Sequence, residues 1–494
     1  MNAQRKKVCV IGAGVSGLAA AKWFKQFGHD VSVVERGPDL GGVWDPSRSY
    51  PDVQTQSPKE LYRYTDKAMP AAYPEWPRGG QVHNYLAAYA DEHALRPLIT
   101  TNAAVSTMKR GDKGGWLVAV EQNGKSTTTP FDFVAVCTGQ FSEIHKPDFQ
   151  GSAEFVTGGG SVLHSSEYTD PAIVKNRRVV VLGFSKSATD IAVNAVNSGA
   201  SEVTIVYREP IWRVPYFIGG LLNFKRILYI RAQENMFPAW AQTPMQRLNH
   251  AIAKPFIWAN WRALESLLNM QLKLGRLGMK PRTRIEDGIN CSVPIVTPGF
   301  FEMIRDGRIK ANQGTFRDYG VGTIALTGGR TIDADVAILA TGWKQGVPFL
   351  PEADRAKLIE PDGQYRLYRN IVNPDLPDMG FVGFNSSFAT VLCADLAANW
   401  LVRFADGKLS KQPNSAEMKA NIAMMLDWRR NARPAAGRYG GLCIAPYHFK
   451  HFDELMDDIG VKGRRRNPLV ENLTPPDADA YAGYLKSAPA YQAG

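Results

Sequence analysis

Two glycine turns hold the residues whose types and spacing suggest chemistry. Gly12-Ala13-Gly14-Val15-Ser16-Gly17 matches G-x-G-x-x-G, between an apolar stretch from Val8 to Ile11 and a helical stretch running to Phe27. In such a turn Gly12 permits the tight bend, Gly14 lets the backbone approach a pyrophosphate, and Gly17 lets helix and strand pack closely. The helix N-terminus then offers free N–H groups and the positive end of its dipole to phosphate oxygens. Glu35, with Arg36 after it, ends the next apolar stretch, Val31 to Val34. A carboxylate there accepts hydrogen bonds from both ribose hydroxyls and repels a 2′-phosphate, so the ligand is FAD or NAD. The small residues of Gly41-Gly42-Val43-Trp44 let the chain lie along a cofactor with an indole nearby, which favours FAD.

The second turn, Gly183-Phe184-Ser185-Lys186-Ser187-Ala188, has the same context but keeps only the first glycine. Ser185 and Ser187 can replace close backbone approach with hydroxyl hydrogen bonds to phosphate, and Lys186 can assist. Arg208 follows the next strand, at the place where the first unit has Glu35. An arginine there binds a 2′-phosphate through two N–H groups and selects NADPH. A nucleophile elbow would need G-x-S-x-G, and Ser187 at the closing position argues against a hydrolase.

The elements that must position these turns are strands and helices in βαβ order. Val8 to Ile11, a helix and Val31 to Val34 form one unit. Val179 to Leu182, a helix from Ala188 to Asn197, and Val203 to Tyr207 form another. An apolar strand, Phe131 to Cys137, ends at Thr138 and Gly139, and a late strand, Asp335 to Leu339, ends at Ala340-Thr341-Gly342. The expected class is therefore α/β, with two Rossmann-like dinucleotide-binding domains, the NADPH domain inserted in the FAD domain. The expected boundaries are 1–168 for the first part of the FAD domain, 169–334 for the NADPH domain, and 335–494 for the rest with a C-terminal segment. From about 211 to 297 the rhythm breaks into a helical insertion where Trp212, Tyr216, Phe217, Trp240, Trp258 and Trp261 alternate with Lys and Arg. Packing on the core is its preferred reading, with peripheral membrane contact as the alternative.

A chain of 494 residues suits two domains. The net charge of +11 is scattered apart from Arg464, Arg465 and Arg466, read as a solvated patch, so nucleic acid is not expected. Cys9, Cys137, Cys291, Cys393 and Cys443 are odd in number and form no CxxC pair. No disulfide framework, zinc site or dithiol pair is expected, and a reducing, cytoplasmic setting fits. Arg5, Lys6 and Lys7 before an apolar stretch imitate a secretory leader, but the glycines that follow belong to the turn. No apolar run approaches the ~20 residues of a transmembrane segment. His448 and His451 have helical spacing without HExxH or a carboxylate cluster, so no metal is expected.

Together these residues resemble the flavin-containing monooxygenases, a family of class B flavoprotein monooxygenases, over most of the chain. The matching blocks are Gly12 to Gly17, Gly41 to Trp44, Thr55-Gln56-Ser57-Pro58-Lys59-Glu60, and Cys137-Thr138-Gly139. They continue with His164-Ser165-Ser166-Glu167-Tyr168, Gly183 to Ala188, and Ala340-Thr341-Gly342-Trp343. The resemblance implies bound FAD, NADPH as hydride donor, O2 as co-substrate, and cofactor-binding places for Thr138 and Thr341. It implies oxygenation of a small amine or sulfide at soft N or S through a flavin C4a-hydroperoxide. Gln56 takes the catalytic position where the family usually has Asn. The sequence also departs from the family by having Ser185 in place of a glycine, and by a stretch between Phe155 and His164 in the F-x-G-x-x-x-H-S-x-x-Y/F signature. That signature ends in Tyr168-Thr169, not the W/F-P of Baeyer–Villiger relatives, so heteroatom oxygenation is preferred. Ketone oxidation and an NADPH oxidase releasing H2O2 are the alternatives. His164 is read as a tie of the interdomain linker, since oxygen transfer to a soft nucleophile needs no strong base. A homodimer using the insertion stays open.

Overall fold

Short β-branched runs buried on both faces make central parallel strands, and this chain has two sets of them. The first set is β1 (Lys7–Ile11), α1 (Val15–Gln26), β2 (Asp30–Val34), β3 (Ile99–Thr100) and β4 (Phe133–Val136). The second is β5 (Ser161–His164), β6 (Arg178–Leu182), α2 (Lys186–Asn197), β7 (Glu202–Tyr207), α3 (Pro244–Leu272), β8 (Lys310–Gln313) and β9 (Val336–Leu339). The chain returns to the first unit through β10 (Met379–Phe381), α4 (Thr390–Ala405) and α5 (His448–Asp458). The computed structural model describes residues 5–289, 293–461 and 467–488, so Cys291 and the run Arg464 to Arg466 lie outside the described residues.

The first sheet has the order β10-β4-β1-β2-β3 and the second β8-β7-β6-β9-β5, and every neighbouring pair in both is parallel. Each contains a βαβ unit and adds a further strand beside that unit's second strand. A three-stranded antiparallel meander then leads into the strand that pairs with the first. The meanders are Ala103–Arg110, Trp116–Gln122 and Lys125–Phe131 before β4, and Phe316–Gly320, Thr323–Leu326 and Thr331–Asp333 before β9. Two Rossmann-like units of α/β class thus share the topology of four strands, while the fifth, at the edge, comes last in the first unit (β10) and first in the second (β5). β5 and β9, which boundaries at 168 and 335 assign to the outer part, pair inside the second sheet. The chain crosses between units where Glu143–Ile144 pairs antiparallel with Trp343–Lys344.

Each unit has its own core. Val8, Leu18, Phe24, Tyr85 and Trp400 belong to the first, where α1 packs between its sheet and α4. Val179, Ile191, Phe300, Trp212, Trp240 and Trp261 belong to the second. The insertion therefore contributes three tryptophans to the inner core, whereas Phe217 and Trp258 remain exposed. No helix among the described residues is long and apolar enough to cross a membrane. Cys9, Cys137 and Cys393 are buried free thiols, and burial pushes Cys9 and Cys393 up to about 12. Cys443 is disulfide-bonded, contrary to the expectation from sequence, because cysteine count and spacing do not say which distant segments meet.

Candidate functional site

The first turn is closed by contacts that only hydrogen can fit. Gly12 has φ +104°, and a β-carbon on it would stand 2.8 Å from the Cys137 carbonyl oxygen. On Gly17 it would stand 1.7 Å from the Gly12 carbonyl oxygen. Gly14 lies against Gly42, whose Cα would be 3.4 Å from an added β-carbon, and Gly41 N–H donates to the Ala13 carbonyl at 3.0 Å. The loop from Gly41 to Trp44 is thus stitched to the turn. The Trp44 indole donates to the Tyr62 hydroxyl at 2.8 Å and packs at the edge of the outer core. Glu35 is buried beside the turn, accepting from Ala13 N–H and Gly37 N–H, each at 2.7 Å. Arg36 is exposed and donates to the Ser142 carbonyl. The Thr138 hydroxyl is buried without a hydrogen-bond partner. A glycine cradle, a fixed carboxylate and an orphaned hydroxyl fit a dinucleotide whose ribose carries no 2′-phosphate, such as FAD.

The second turn repeats the bend with different chemistry. Gly183 has φ +137°, and a β-carbon would stand 2.5 Å from the Ala340 carbonyl oxygen, as Gly12 leans on Cys137. Ser185 caps α2 with φ −82° and ψ −171°, almost the backbone of Gly14 at −79° and −167°. That is extended backbone open to any residue, so the loss of glycine leaves the turn intact. Ser185 is exposed and Ser187 half-buried. Lys186 instead turns inward, its ammonium 2.5 Å from Asp190 Oδ1. Asp190 also accepts from Thr297 at 2.5 Å and from the Tyr50 hydroxyl at 3.0 Å, which ties the outer unit to α2.

Strand register refines the position of Arg208. Gly12 N–H bonds the Val34 carbonyl and Gly183 N–H the Val206 carbonyl, each at 2.8 Å. The residue equivalent to Glu35 is therefore Tyr207, and Arg208 matches Arg36. The offset arises because β7 runs one residue further than β2, so the residue that follows the strand lies one place beyond the counterpart of Glu35. Tyr207 is tilted on Phe184 at 4.5 Å, so no carboxylate occupies the place of Glu35. Arg208 is exposed, and among the described hydrogen bonds and ion pairs its guanidinium has no partner. One group escaped the sequence reading altogether. Arg213 is fully buried beneath the turn and donates to the carbonyls of Phe184 and Ser185. Burial pushes it down to about 9 against the pull of Asp190. Its only sequence signal is a lone arginine between Trp212 and Val214.

Gln56 is held by the insertion. Its backbone carbonyl accepts from the Tyr229 hydroxyl and its Oε1 from Ile295 N–H, both at 3.2 Å. Its amide NH2 has no partner among the described hydrogen bonds. Next to it the Ser57 hydroxyl donates to the Phe388 carbonyl, and Tyr229 stacks on Phe388 at 4.7 Å. Lys59 is capped by the carbonyls of Ala71 at 2.8 Å and Tyr73 at 2.6 Å.

The remaining motif residues sit at the crossing between units. His164 is buried, with Nδ1 2.9 Å from the Ser166 hydroxyl and Nε2 3.0 Å from the Gly342 carbonyl, and burial lowers its pKa. Its ring meets Trp343 edge-on at 5.1 Å, and Thr341 donates to the His145 carbonyl. In the stretched signature Gly160 lies against Phe155, since a β-carbon on it would meet the ring at 2.4 Å. His448 and His451 are buried in α5 and pushed down to about 3 by that burial. Among the described residues no group of His, Cys, Asp and Glu is placed to hold a metal ion.

Comparison with known proteins adds to this geometry. The family model described as flavin-binding monooxygenase-like matches residues 5–465. A probable flavin-containing monooxygenase 1 of Arabidopsis thaliana is 29% identical, with 96% of each chain covered. Among solved structures, the S-allyl-L-cysteine S-oxygenase of Allium sativum superimposes with TM-score 0.62 at 19% identity, covering 94% of this chain and 91% of that one. A cyclohexanone-bound cyclohexanone monooxygenase superimposes with TM-score 0.68 at 16% identity, covering 92% and 97%. The fold is thus shared by enzymes whose names specify a sulfur substrate and a ketone.

Proposed function

The chain belongs to the flavin-binding monooxygenase-like family, and from that premise we propose that it oxygenates soft nucleophilic nitrogen or sulfur centres of small molecules. As a family member it is an NADPH- and O2-dependent flavoprotein monooxygenase with FAD as its flavin. When bound, the flavin reduced by NADPH supplies the electrons that divide O2 between product and water.

The chain's own task is to bind, orient and exclude water. Gly12, Gly14, Gly17 and Gly42 bring backbone against the FAD pyrophosphate, Glu35 takes the ribose hydroxyls, and Thr138 offers its unpartnered hydroxyl. Arg36 and Trp44 hold the adjoining loops, and Thr341 fixes the crossing beside the second turn. Gly183, Ser185 and Ser187 receive the NADPH pyrophosphate and Arg208 its 2′-phosphate. Lys186 and Arg213 add positive field from behind the turn. Tyr229 and Ile295 tether Gln56, an exposed side chain whose free NH2 remains to orient the reacting groups.

The engagement of three cations supports the choice of a soft nucleophile, with Arg208 assigned to the 2′-phosphate. Lys59, Lys186 and Arg213 are each bound to protein oxygens. A ketone must be attacked by an anionic oxygen donor, which needs a free cation beside it. An amine or sulfide attacks a protonated donor and needs none. His164, with both ring nitrogens engaged, supplies no base either. With NADPH and O2, a thioether or tertiary amine should give sulfoxide or N-oxide by mass spectrometry, and a cyclic ketone no lactone. Lactone as the sole product would overturn the reading.

A further inference from the structure

One buried arginine lacks the partners that its neighbours have. Arg231 is paired with Asp453 and Glu471, and Arg369 with Glu454 and Asp458. Arg213 and Arg433 each donate to two backbone carbonyls. Arg429, only 4% exposed, has a single neutral partner, the Asn370 Oδ1 atom, which accepts from Nη2 at 2.9 Å. Among the described residues no carboxylate pairs with it, and four of its five N–H groups have no acceptor. Burial pushes it down to about 10, so it keeps its charge at neutral pH.

The chain around Arg429 holds it in place. It lies in a π-helical turn, Trp428–Ala432, at the end of the helix Ser415–Asp427. Asn370 Nδ2 donates to the Gly441 carbonyl at 3.1 Å. Gly441 in turn lies against the guanidinium, where a β-carbon would stand 2.5 Å from Nη1. Pinned between Asn370 and Gly441, the charge cannot swing out to water.

Arg429 lines a cavity between the insertion and the C-terminal segment, walled by Trp240, Leu367, Met425, Trp428, Ile444 and Tyr447. The polar hydrogens of those rings are engaged elsewhere, Trp428 and Tyr447 on the Pro238 carbonyl and Trp240 on Glu454. Glu454 is the carboxylate on this wall, and Arg369 Nη1 holds it at 2.6 Å. His451, also on the wall, is pushed down to about 3 by burial and stays neutral. The cavity thus sets a fixed cation among apolar rings and offers it no counter-charge. Water can satisfy the N–H groups but cannot balance the charge, and a buried charge calls for a partner of opposite sign. A carboxylate does both, through two parallel bonds to a guanidinium. The space admits about two or three water-sized bodies, the bulk of acetate. Gln56, Tyr229, Phe388 and the two glycine turns are absent from its wall, so it is separate from the oxygenation site.

We propose that Arg429 and this cavity form a binding site for a small monocarboxylate of acetate's size. The FAD-loaded protein should broaden the fluorine NMR line of fluoroacetate, and acetate replacing chloride at constant ionic strength should sharpen it again. The effect should persist under saturating NADP+, which keeps it apart from the nucleotide turns. Arg429→Met preserves length and packing but removes the charge, and should weaken binding at least about tenfold with flavin content unchanged. Crystals of the unaltered protein grown with acetate should show the anion against Arg429, a result that does not depend on how well the variant folds. Four results would each overturn the proposal: no broadening by the unaltered protein, no displacement by acetate, undiminished binding in Arg429→Met, or acetate located only elsewhere in the crystal.

Discussion

The turns at Gly12 and Gly183 begin alike and diverge within a few residues. Both lean a left-handed glycine on the carbonyl that ends a neighbouring strand, Cys137 in one and Ala340 in the other. Both then cap a twelve-residue helix with the same extended backbone. The first turn is sealed by glycines because the loop at Gly42 and the carbonyl of Gly12 crowd it. The second keeps Ser185 and Ala188, is braced from behind by Arg213, and has Tyr207 where the first has Glu35. What they share makes a dinucleotide turn. On the proposed reading, where they differ selects the ribose, a diol beside a buried carboxylate in one case and a 2′-phosphate beside an exposed arginine in the other.

The most severe way to break the comparison is to put the second turn's alanine into the first. Gly17→Ala forces a β-carbon onto the Gly12 carbonyl oxygen, built at 1.7 Å, where only backbone movement gives relief. The purified protein should lose nearly all its flavin, read as the ratio of absorbance at ~450 nm to protein absorbance, and melt several degrees lower. The reverse exchange, Ala188→Gly, should cost only about 1 kcal/mol of stability and leave flavin content unchanged. A fully flavinated Gly17→Ala protein would mean that the two turns are equally tolerant. Next in size, Arg208→Ala should raise KM for NADPH about 10- to 100-fold and leave KM for NADH within about twofold, as loss of a charge-assisted phosphate contact requires. Equal losses on both coenzymes would remove the 2′-phosphate from Arg208. Tyr207→Glu sharpens the same point by placing a carboxylate in the register of Glu35. It should shift preference toward NADH by about tenfold, measured as the ratio of kcat/KM values.

Much of this contrast is legible before any fold is known, because it is local. Gly12 and Gly183, the helices behind them, and Thr138 and Thr341 at the ends of neighbouring strands can all be read from short-range pattern. What was hidden depends on lengths and partners that pattern does not encode. β7 runs one residue further than β2, so Arg208, the first residue after it, falls one place beyond the counterpart of Glu35. An apolar strand such as β5 or β9 does not declare which of two parallel sheets it joins. Arg213 looks like any arginine in a basic insertion until its guanidinium is found under the turn. Trp258 and Trp261 lie three residues apart on one helix, and only the tertiary contact makes one of them core.

The smallest expected effect tests how far the insertion reaches into the chemistry between the two turns. Gln56 is long enough for its Oε1 to accept from Ile295 N–H, so its NH2 is held open. Gln56→Asn removes one methylene and breaks that tie, which costs about 1 kcal/mol of local stabilisation. Flavin content and KM for NADPH should stay within about twofold, since neither turn is touched. NADPH consumption without product should rise, with H2O2 released per NADPH increasing about two- to fivefold in a peroxidase-coupled assay, because a looser amide orients the reacting groups less well. A fall in H2O2 would carry the opposite meaning. The extra methylene of Gln56 would then be a misfit, and the bond to Ile295 would restrain the amide away from where it acts.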